Sequence, residues 1–168
     1  IGAGTLMTRA NGLDAEQAPG LRDAMTDLIK ILEGFYACGV ASSDYCTQEA
    51  EGIVMPEAVF ANIGKLLLAT QIYDMQRLAH EVSGGLIVAL PGPEEDHNPA
   101  TAGRISEVLA GRSDLPYQKR IEVARLIEDL TASCQGGWYS VISLHGGGSP
   151  EAMKKEIFRR YPIADRVE

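Results

Sequence analysis

LRDAMTDLIKILEGFYACGVASS, residues 21–43, brings an apolar side chain round every three or four positions, at Leu21, Met25, Leu28 and Ile29, Leu32, Tyr36 and Val40. That period belongs to an amphipathic α-helix, and a run this long without proline predicts a single long one. A second long helix is predicted from Pro56, a residue suited to the first helical position, with Glu57 against the positive end of the dipole. Its inward face is read as Val59, Ile63, Leu66, Leu67, Tyr73 and Leu78, and Gly84-Gly85 supplies the left-handed stop. A third runs from Pro116 towards Cys134 with Ile121, Ala124, Leu126, Ile127 and Leu130 inward, until Gly136-Gly137 interrupts or ends it.

Shorter elements fill the rest. Ile1 to Ala10 reads as the end of a helix, and Pro99 to Ala110 as a short one capped by Asn98. Leu86 to Leu90 reads as a strand or a buried extended segment, too short to build a sheet alone. Trp138 to Leu144 fits helix or loop, and Ser149-Pro150-Glu151 is a strong start signal for a last helix. The fold class that follows is all-α, an antiparallel helix bundle in one domain, with the first two long helices paired.

Composition narrows the function. Fifteen Lys and Arg against twenty-three Asp and Glu give a net charge of -8, and the cations are scattered. Nucleic acid is therefore not an expected partner, because phosphate affinity needs clustered cations. The apolar runs fall far short of the roughly 20 residues that span a bilayer. Cys38, Cys46 and Cys134 match no disulfide or zinc spacing, which suits buried small side chains in a reducing cytoplasm. Ile1 is not a start methionine, and its neighbours have no signal-peptide pattern, so the chain reads as a piece cut from a larger protein.

Two glycine-containing stretches have residues suited to ligand chemistry. In Glu81-Val-Ser83-Gly84-Gly85, the glycines let a backbone or flat ligand approach, and Glu81 and Ser83 suit a ribose or adenine. A plain helix stop is the competing reading. In His145-Gly146-Gly147-Gly148-Ser149, free N–H groups leading into a capped helix suit an anion, and His145 adds a donor or a titrating group. A tight turn between helices competes there. No lysine follows the glycines, so this is not a Walker-type phosphate-binding loop. His80 and Glu81 point to different helix faces and are no metal pair, and His97 is expected to be solvated. No metal site is expected.

Ser83-Gly-Gly-Leu-Ile-Val-Ala-Leu-Pro91 and Leu144-His-Gly-Gly-Gly-Ser-Pro-Glu151, with Cys38-Gly-Val-Ala-Ser-Ser43 and Asn62-Ile-Gly-Lys-Leu66, resemble a known flavoenzyme family over nearly the whole chain. It is the C-terminal domain of the 4-hydroxybutyryl-CoA dehydratase and 4-hydroxyphenylacetate 3-monooxygenase family. In the dehydratase branch the first two pieces read AGGLMVTMP and MHGAGSPQ. The resemblance implies the acyl-CoA dehydrogenase architecture, in which a helical N-terminal domain and a central β domain precede a C-terminal bundle that closes over FAD and builds the oligomer, a dimer or tetramer. Residues 1–168 would be that bundle, inactive without the remainder of its own polypeptide.

Carried over residue by residue, the resemblance makes Glu81, Ser83, Gly84 and Gly85 the counterpart of a Gln-x-x-Gly-Gly stretch that approaches a neighbouring subunit's FAD, with Glu81 in place of the glutamine. His145, Gly146, Gly147, Gly148 and Ser149 would border the flavin and the substrate thioester. Departures carry weight too. Ile142 stands where dehydratases carry a glutamate, and Gly147 stands where acyl-CoA dehydrogenases carry their base, so no catalytic residue is assigned. The 4Fe–4S cluster of the dehydratases would have its ligands upstream of Ile1. The implied substrate is a small CoA thioester; the alternatives are a phenol, hydroxylated in the monooxygenase branch, or a helical interaction module with no activity of its own.

Overall fold

Ser149 opens the last helix as its sequence predicts: its hydroxyl accepts the N–H of Ala152 at 3.2 Å, with Pro150 next in the chain. The computed structural model describes residues 1–167. Among the described residues seven α-helices run in the order α1 (Gly2–Ala10), α2 (Pro19–Asp44), α3 (Ala58–Val82), α4 (Ala102–Val108), α5 (Tyr117–Thr131), α6 (Cys134–Gly147) and α7 (Pro150–Arg160). A two-stranded antiparallel hairpin, β1 (Thr47–Gln48) and β2 (Val54–Met55), interrupts the helices between α2 and α3. The class is all-α, a helix bundle, as expected; the hairpin was not foreseen. Its bend is made by Glu51 and Gly52, both at positive φ.

The chain divides into two compact units. The first combines Ile1–Leu28 with Asp74–Trp138, and the second combines Ile29–Tyr73 with the stretch from Tyr139 onward. In the first unit the core is Met7, Ile87, Ala124 and Ile127, with Ala3, Ala79, Leu86, Leu90 and Val123 packed on it. Helix α1 lies against α5, and Gly4 leaves room for the Met25 sulfur and the Val82 side chain. Arg120 ties the ends of elements together, with Nε donating to Asn11 Oδ1 at 2.7 Å and Nη1 to the Leu109 carbonyl at 2.9 Å.

In the second unit α2 and α3 run antiparallel. Gly34 faces Leu67, Cys38 faces Gly64, and Ser42 Oγ donates to the Glu57 carbonyl at 2.9 Å, so rising positions on one helix meet falling positions on the other. Small residues let these backbones approach closely.

Several elements differ from their sequence reading. Helix α3 starts at Ala58 rather than Pro56, because the Glu57 carboxylate accepts the N–H groups of Val59 and Phe60 and so caps it. Leu86–Ala89 is a 3₁₀ turn that drives Ile87 into the core, not a strand. Helix α4 starts at Ala102, since Asn98 Oδ1 accepts from Ala100 in a turn that delays it. Helix α5 ends at Thr131 before the glycines: Ser133 Oγ accepts the Gly136 N–H at 2.9 Å and caps α6, which takes in Gly136 and Gly137.

The inward faces shift as well. On α2 the buried positions are Ala24, Leu28, Ile31 and Ser42, while Ile29, Leu32, Tyr36 and Val40 are exposed. Ile63 and Tyr73 on α3, and Leu126 and Leu130 on α5, also face outward. Cys38 is half-buried and Cys46 and Cys134 are exposed, all three as free thiols, so the expectation of buried cysteines fails. Among the described residues no helix is long and apolar enough to cross a membrane.

Helix α7 carries its charges in mutual support. Glu156 accepts from Arg159 at 3.1 and 2.7 Å and from Arg160 at 2.9 Å. These hydrogen bonds, with that from Arg159 the largest cause, hold the Glu156 carboxyl down from 4.5 to about 2. A lowered carboxylate pKa contributes stability above the ordinary value, and that contribution fades as pH falls through the window from 4.5 to about 2. Amide-exchange protection of α7 is expected to weaken across that window in the parent and to lose that pH dependence in Glu156→Gln.

Candidate functional site

The first stretch sits at the C-terminus of α3, in the first unit. The Gly84 N–H donates to the Glu81 carbonyl at 2.9 Å and the Gly85 N–H to the His80 carbonyl at 3.1 Å. These two bonds form the Schellman pattern that closes a helix, and Gly84, at φ 66°, is the left-handed residue it needs; Gly85 follows at φ 72°. Both glycines are exposed, and an added Cβ at either would meet nothing within 4 Å.

The polar side chains here are already engaged. Ser83 is 1% exposed and its hydroxyl donates to the His80 carbonyl at 2.7 Å, which turns it away from a ligand. Glu81 is exposed and paired with Arg77 one turn earlier on α3. The turn therefore offers a bare backbone face flanked by an Arg–Glu pair. Arg77 carried no motif in the sequence; its place is set only by its spacing of four from Glu81.

The second stretch lies in the second unit and is not the open loop expected of consecutive glycines. His145, Gly146 and Gly147 form the last turn of α6, and only Gly148, at φ 90°, leaves the helix, its N–H donating to the His145 carbonyl at 3.2 Å. Ser149 then caps α7. Backbone N–H groups of Gly146 and Gly147 thus belong to a helix, and anion binding through a row of free donors is not available here; with Pro150 lacking an N–H and the Ala152 N–H taken by Ser149, the donors left are the Glu151 N–H and the exposed His145 ring. Gly147 is half-buried, with the Met153 methyl 3.4 Å from where its Cβ would stand, and Gly146 has open space.

Each stretch keeps its own residues together. His80, set aside in the sequence as a metal ligand, is half-buried with Nε2 2.8 Å from Thr131 Oγ1. The partners are 51 positions apart, so no local pattern reveals them. His97 is exposed as expected. Among the described residues no three His, Cys, Asp or Glu side chains are grouped to hold a metal.

Residues 1–168 match the family profile described as HpaB, 4-hydroxyphenylacetate 3-hydroxylase C terminal. The chain belongs to this family. Relatives of the family differ in what they are named for. Over the full length of the chain it is 28% identical to 4-hydroxybutyryl-CoA dehydratase/vinylacetyl-CoA-Δ-isomerase of Clostridium aminobutyricum, covering 36% of that protein. An oxygen-tolerant archaeal 4-hydroxybutyryl-CoA dehydratase from N. maritimus superimposes with a TM-score of 0.84 at 28% identity, over 94% of this chain and 31% of that one. The oxygenase component of 4-hydroxyphenylacetate 3-monooxygenase, solved with FAD and 4-hydroxyphenylacetate, gives 0.83 at 19% identity over 99% of this chain and 35% of that one. At that identity the likeness is one of fold. The chain spans about a third of the length of these family members.

Proposed function

We propose that residues 1–168 are the C-terminal helical domain of an FAD-dependent enzyme of the 4-hydroxybutyryl-CoA dehydratase/vinylacetyl-CoA isomerase kind, acting on a small CoA thioester. The observation that carries this is the match of the whole chain at 28% identity to a protein with that activity. The chain is less close, at 19%, to the monooxygenase.

The residues present fit a flavin. Gly84 and Gly85 expose backbone with open space before it, so a planar ring or an adenosine can lie against the turn without displacing a side chain. Gly146 and Gly147 strengthen the case, because they are helical positions with room for a side chain. A helix loses up to about 1 kcal/mol per glycine relative to alanine, so the fold itself gives no reason for them. When bound, FAD supplies the redox chemistry.

The chain's own contribution is to shape and orient. Glu81 would accept from a hydroxyl of the cofactor, with Arg77 holding that carboxylate in place. His145 and the Glu151 N–H at the start of α7 would donate to a thioester or phosphate oxygen. Gly147 cannot remove a proton, and Ile142 is apolar, so the acid–base group must come from outside these residues. The donor set does not fit an iron–sulfur cluster, since no three thiol, imidazole or carboxylate groups converge among the described residues. Cluster ligands would lie elsewhere in the polypeptide.

The exposed stripe Ile29, Leu32, Tyr36 and Val40 supports burial of this face in the intact enzyme, against another copy of the chain. A second reading, hydroxylation of a phenol, is favoured by the family profile's own description. The full-length protein, purified with FAD, separates them. Dehydration of 4-hydroxybutyryl-CoA and isomerisation of vinylacetyl-CoA are expected. Oxygen-dependent hydroxylation of 4-hydroxyphenylacetate by reduced flavin would replace the proposal, and failure to retain flavin would leave an interaction module.

A further inference from the structure

His80 joins the Gly84-Gly85 turn to helix α5. Its carbonyl accepts both the Gly85 N–H, at 3.1 Å, and the Ser83 hydroxyl, at 2.7 Å. Its ring Nε2 lies 2.8 Å from Thr131 Oγ1, on the last residue of α5. Thr131 Oγ1 also lies 2.6 Å from the Ile127 carbonyl, which can only accept. The single hydroxyl proton is spent there, so Thr131 accepts from the ring and the proton of His80 resides on Nε2. One residue thus makes two bonds that shape the turn and one that fixes the turn to a neighbouring helix.

The turn needs that anchor. Around Gly84 and Gly85 there is open space, so no side-chain packing on the exposed side holds their peptide planes. What holds them is the pair of Schellman bonds, the Val88 N–H on the Gly85 carbonyl at 3.3 Å and, behind them, Ile87 in the core with Ala124 and Ile127. Ile127 and Thr131 belong to the same last turns of α5, which makes that helix the common support.

We propose that His80 is a positioning residue for the cofactor. Through its hydrogen bond to Thr131 it fixes the last turn of α3 and so sets the orientation in which Gly84 and Gly85 meet the flavin. This rests on the reading of those glycines as a flavin contact. Without the anchor the ring is free to turn to solvent and the end of α3 frays, as helix ends do. The apparent affinity for FAD then falls in proportion to the fraction of turns still in the competent orientation.

The test uses the full-length apoprotein, with FAD binding read by equilibrium titration and melting read without FAD. Thr131→Val keeps the shape and removes the acceptor, whereas Thr131→Ser keeps it, and His80→Gln keeps an N–H donor near the position of Nε2. Tyr117→Phe is the control: it breaks a different pair in the same unit, the 2.9 Å bond from Tyr117 Oη to Asp96 Oδ1. If one turn in ten stays competent, Thr131→Val raises the dissociation constant about tenfold, while Thr131→Ser and His80→Gln stay within about twofold of the parent. Tyr117→Phe is expected to lower the melting temperature without changing FAD affinity. The proposal is overturned if Thr131→Val lowers melting as Tyr117→Phe does yet binds FAD like the parent. Gly85→Ala tells the two levels apart: if it weakens FAD binding while Thr131→Val does not, only the role of His80 falls. If Gly85→Ala also binds FAD normally, the flavin contact itself is wrong and the proposal goes with it.

Discussion

Ile127→Ala is expected to lower the unfolding free energy by about 3 kcal/mol, seen as a lower urea midpoint at unchanged slope. Ile127 is 2% exposed and sits with Met7, Ile87 and Ala124, so its truncation removes apolar contact from α1, from the 3₁₀ turn at Leu86–Ala89 and within α5 together. Ala124 has no side chain that could extend into the space, which keeps the cavity term large. Against a total of about 5–15 kcal/mol for a domain, the loss is severe. Leu126, the adjacent residue, is 44% exposed. Leu126→Ala should therefore change stability by no more than about 0.5 kcal/mol. Similar losses in both variants would contradict the assignment of the inward face of α5. Because Ile87 stands two residues after Gly85, Ile127→Ala is also expected to weaken FAD binding in the full-length protein.

That contrast bears on what a sequence can disclose. The period of residues 21–43 located α2, because a helix of that length reports its apolar spacing many times over. It did not identify the buried face, since α2 is apolar on two sides. Within the second unit the side that packs on α3 carries Gly34, Cys38 and Ser42, small residues that allow α3 to approach, while bulkier Ile29, Leu32, Tyr36 and Val40 are left outside. Hydropathy ranks the second set higher; close packing selects the first. Leu86–Leu90 failed for a different reason. A short apolar run has no internal period, and the left-handed Gly85 before it sends the chain into a tight turn rather than an extended one.

At the candidate site the local features were legible and the distant ones were not. Gly84-Gly85 as a helix stop and Ser149-Pro150 as a helix start rest on neighbours in sequence, and both are present. The inward turn of the Ser83 hydroxyl follows from the path of its own helix end, which periodicity does not specify. The bond from His80 to Thr131 joins residues 51 positions apart on two different helices, and no spacing within either helix announces it. Three glycines in a row suggested an open loop at 146–148. Yet a glycine costs a helix only about 1 kcal/mol, and here the helix continues until Gly148 takes positive φ.

Gly147→Leu in the full-length enzyme is expected to reduce turnover by about a hundredfold while leaving the fold intact, an activation penalty of roughly 2.7 kcal/mol. The structure removes the ordinary explanation for glycine at this position. Gly147 is helical, so it does not supply a left-handed turn, and the one atom near its missing Cβ is the Met153 methyl at 3.4 Å, an ordinary contact distance. On helix propensity alone, Gly147→Ala should hold or slightly raise the melting temperature. Gly148 provides the internal comparison, because at φ 90° a side chain is strained whatever the space around it. Gly148→Ala should therefore lower stability by about 1 kcal/mol or more. If position 147 lies against the flavin or the acyl group, activity and stability separate in opposite directions at these adjacent residues: the leucine variant at 147 melts like the parent and turns over poorly, and the alanine variant at 148 melts early. Full activity in Gly147→Leu would mean that nothing approaches this helix end, and the site would have to be sought at the Gly84-Gly85 turn alone.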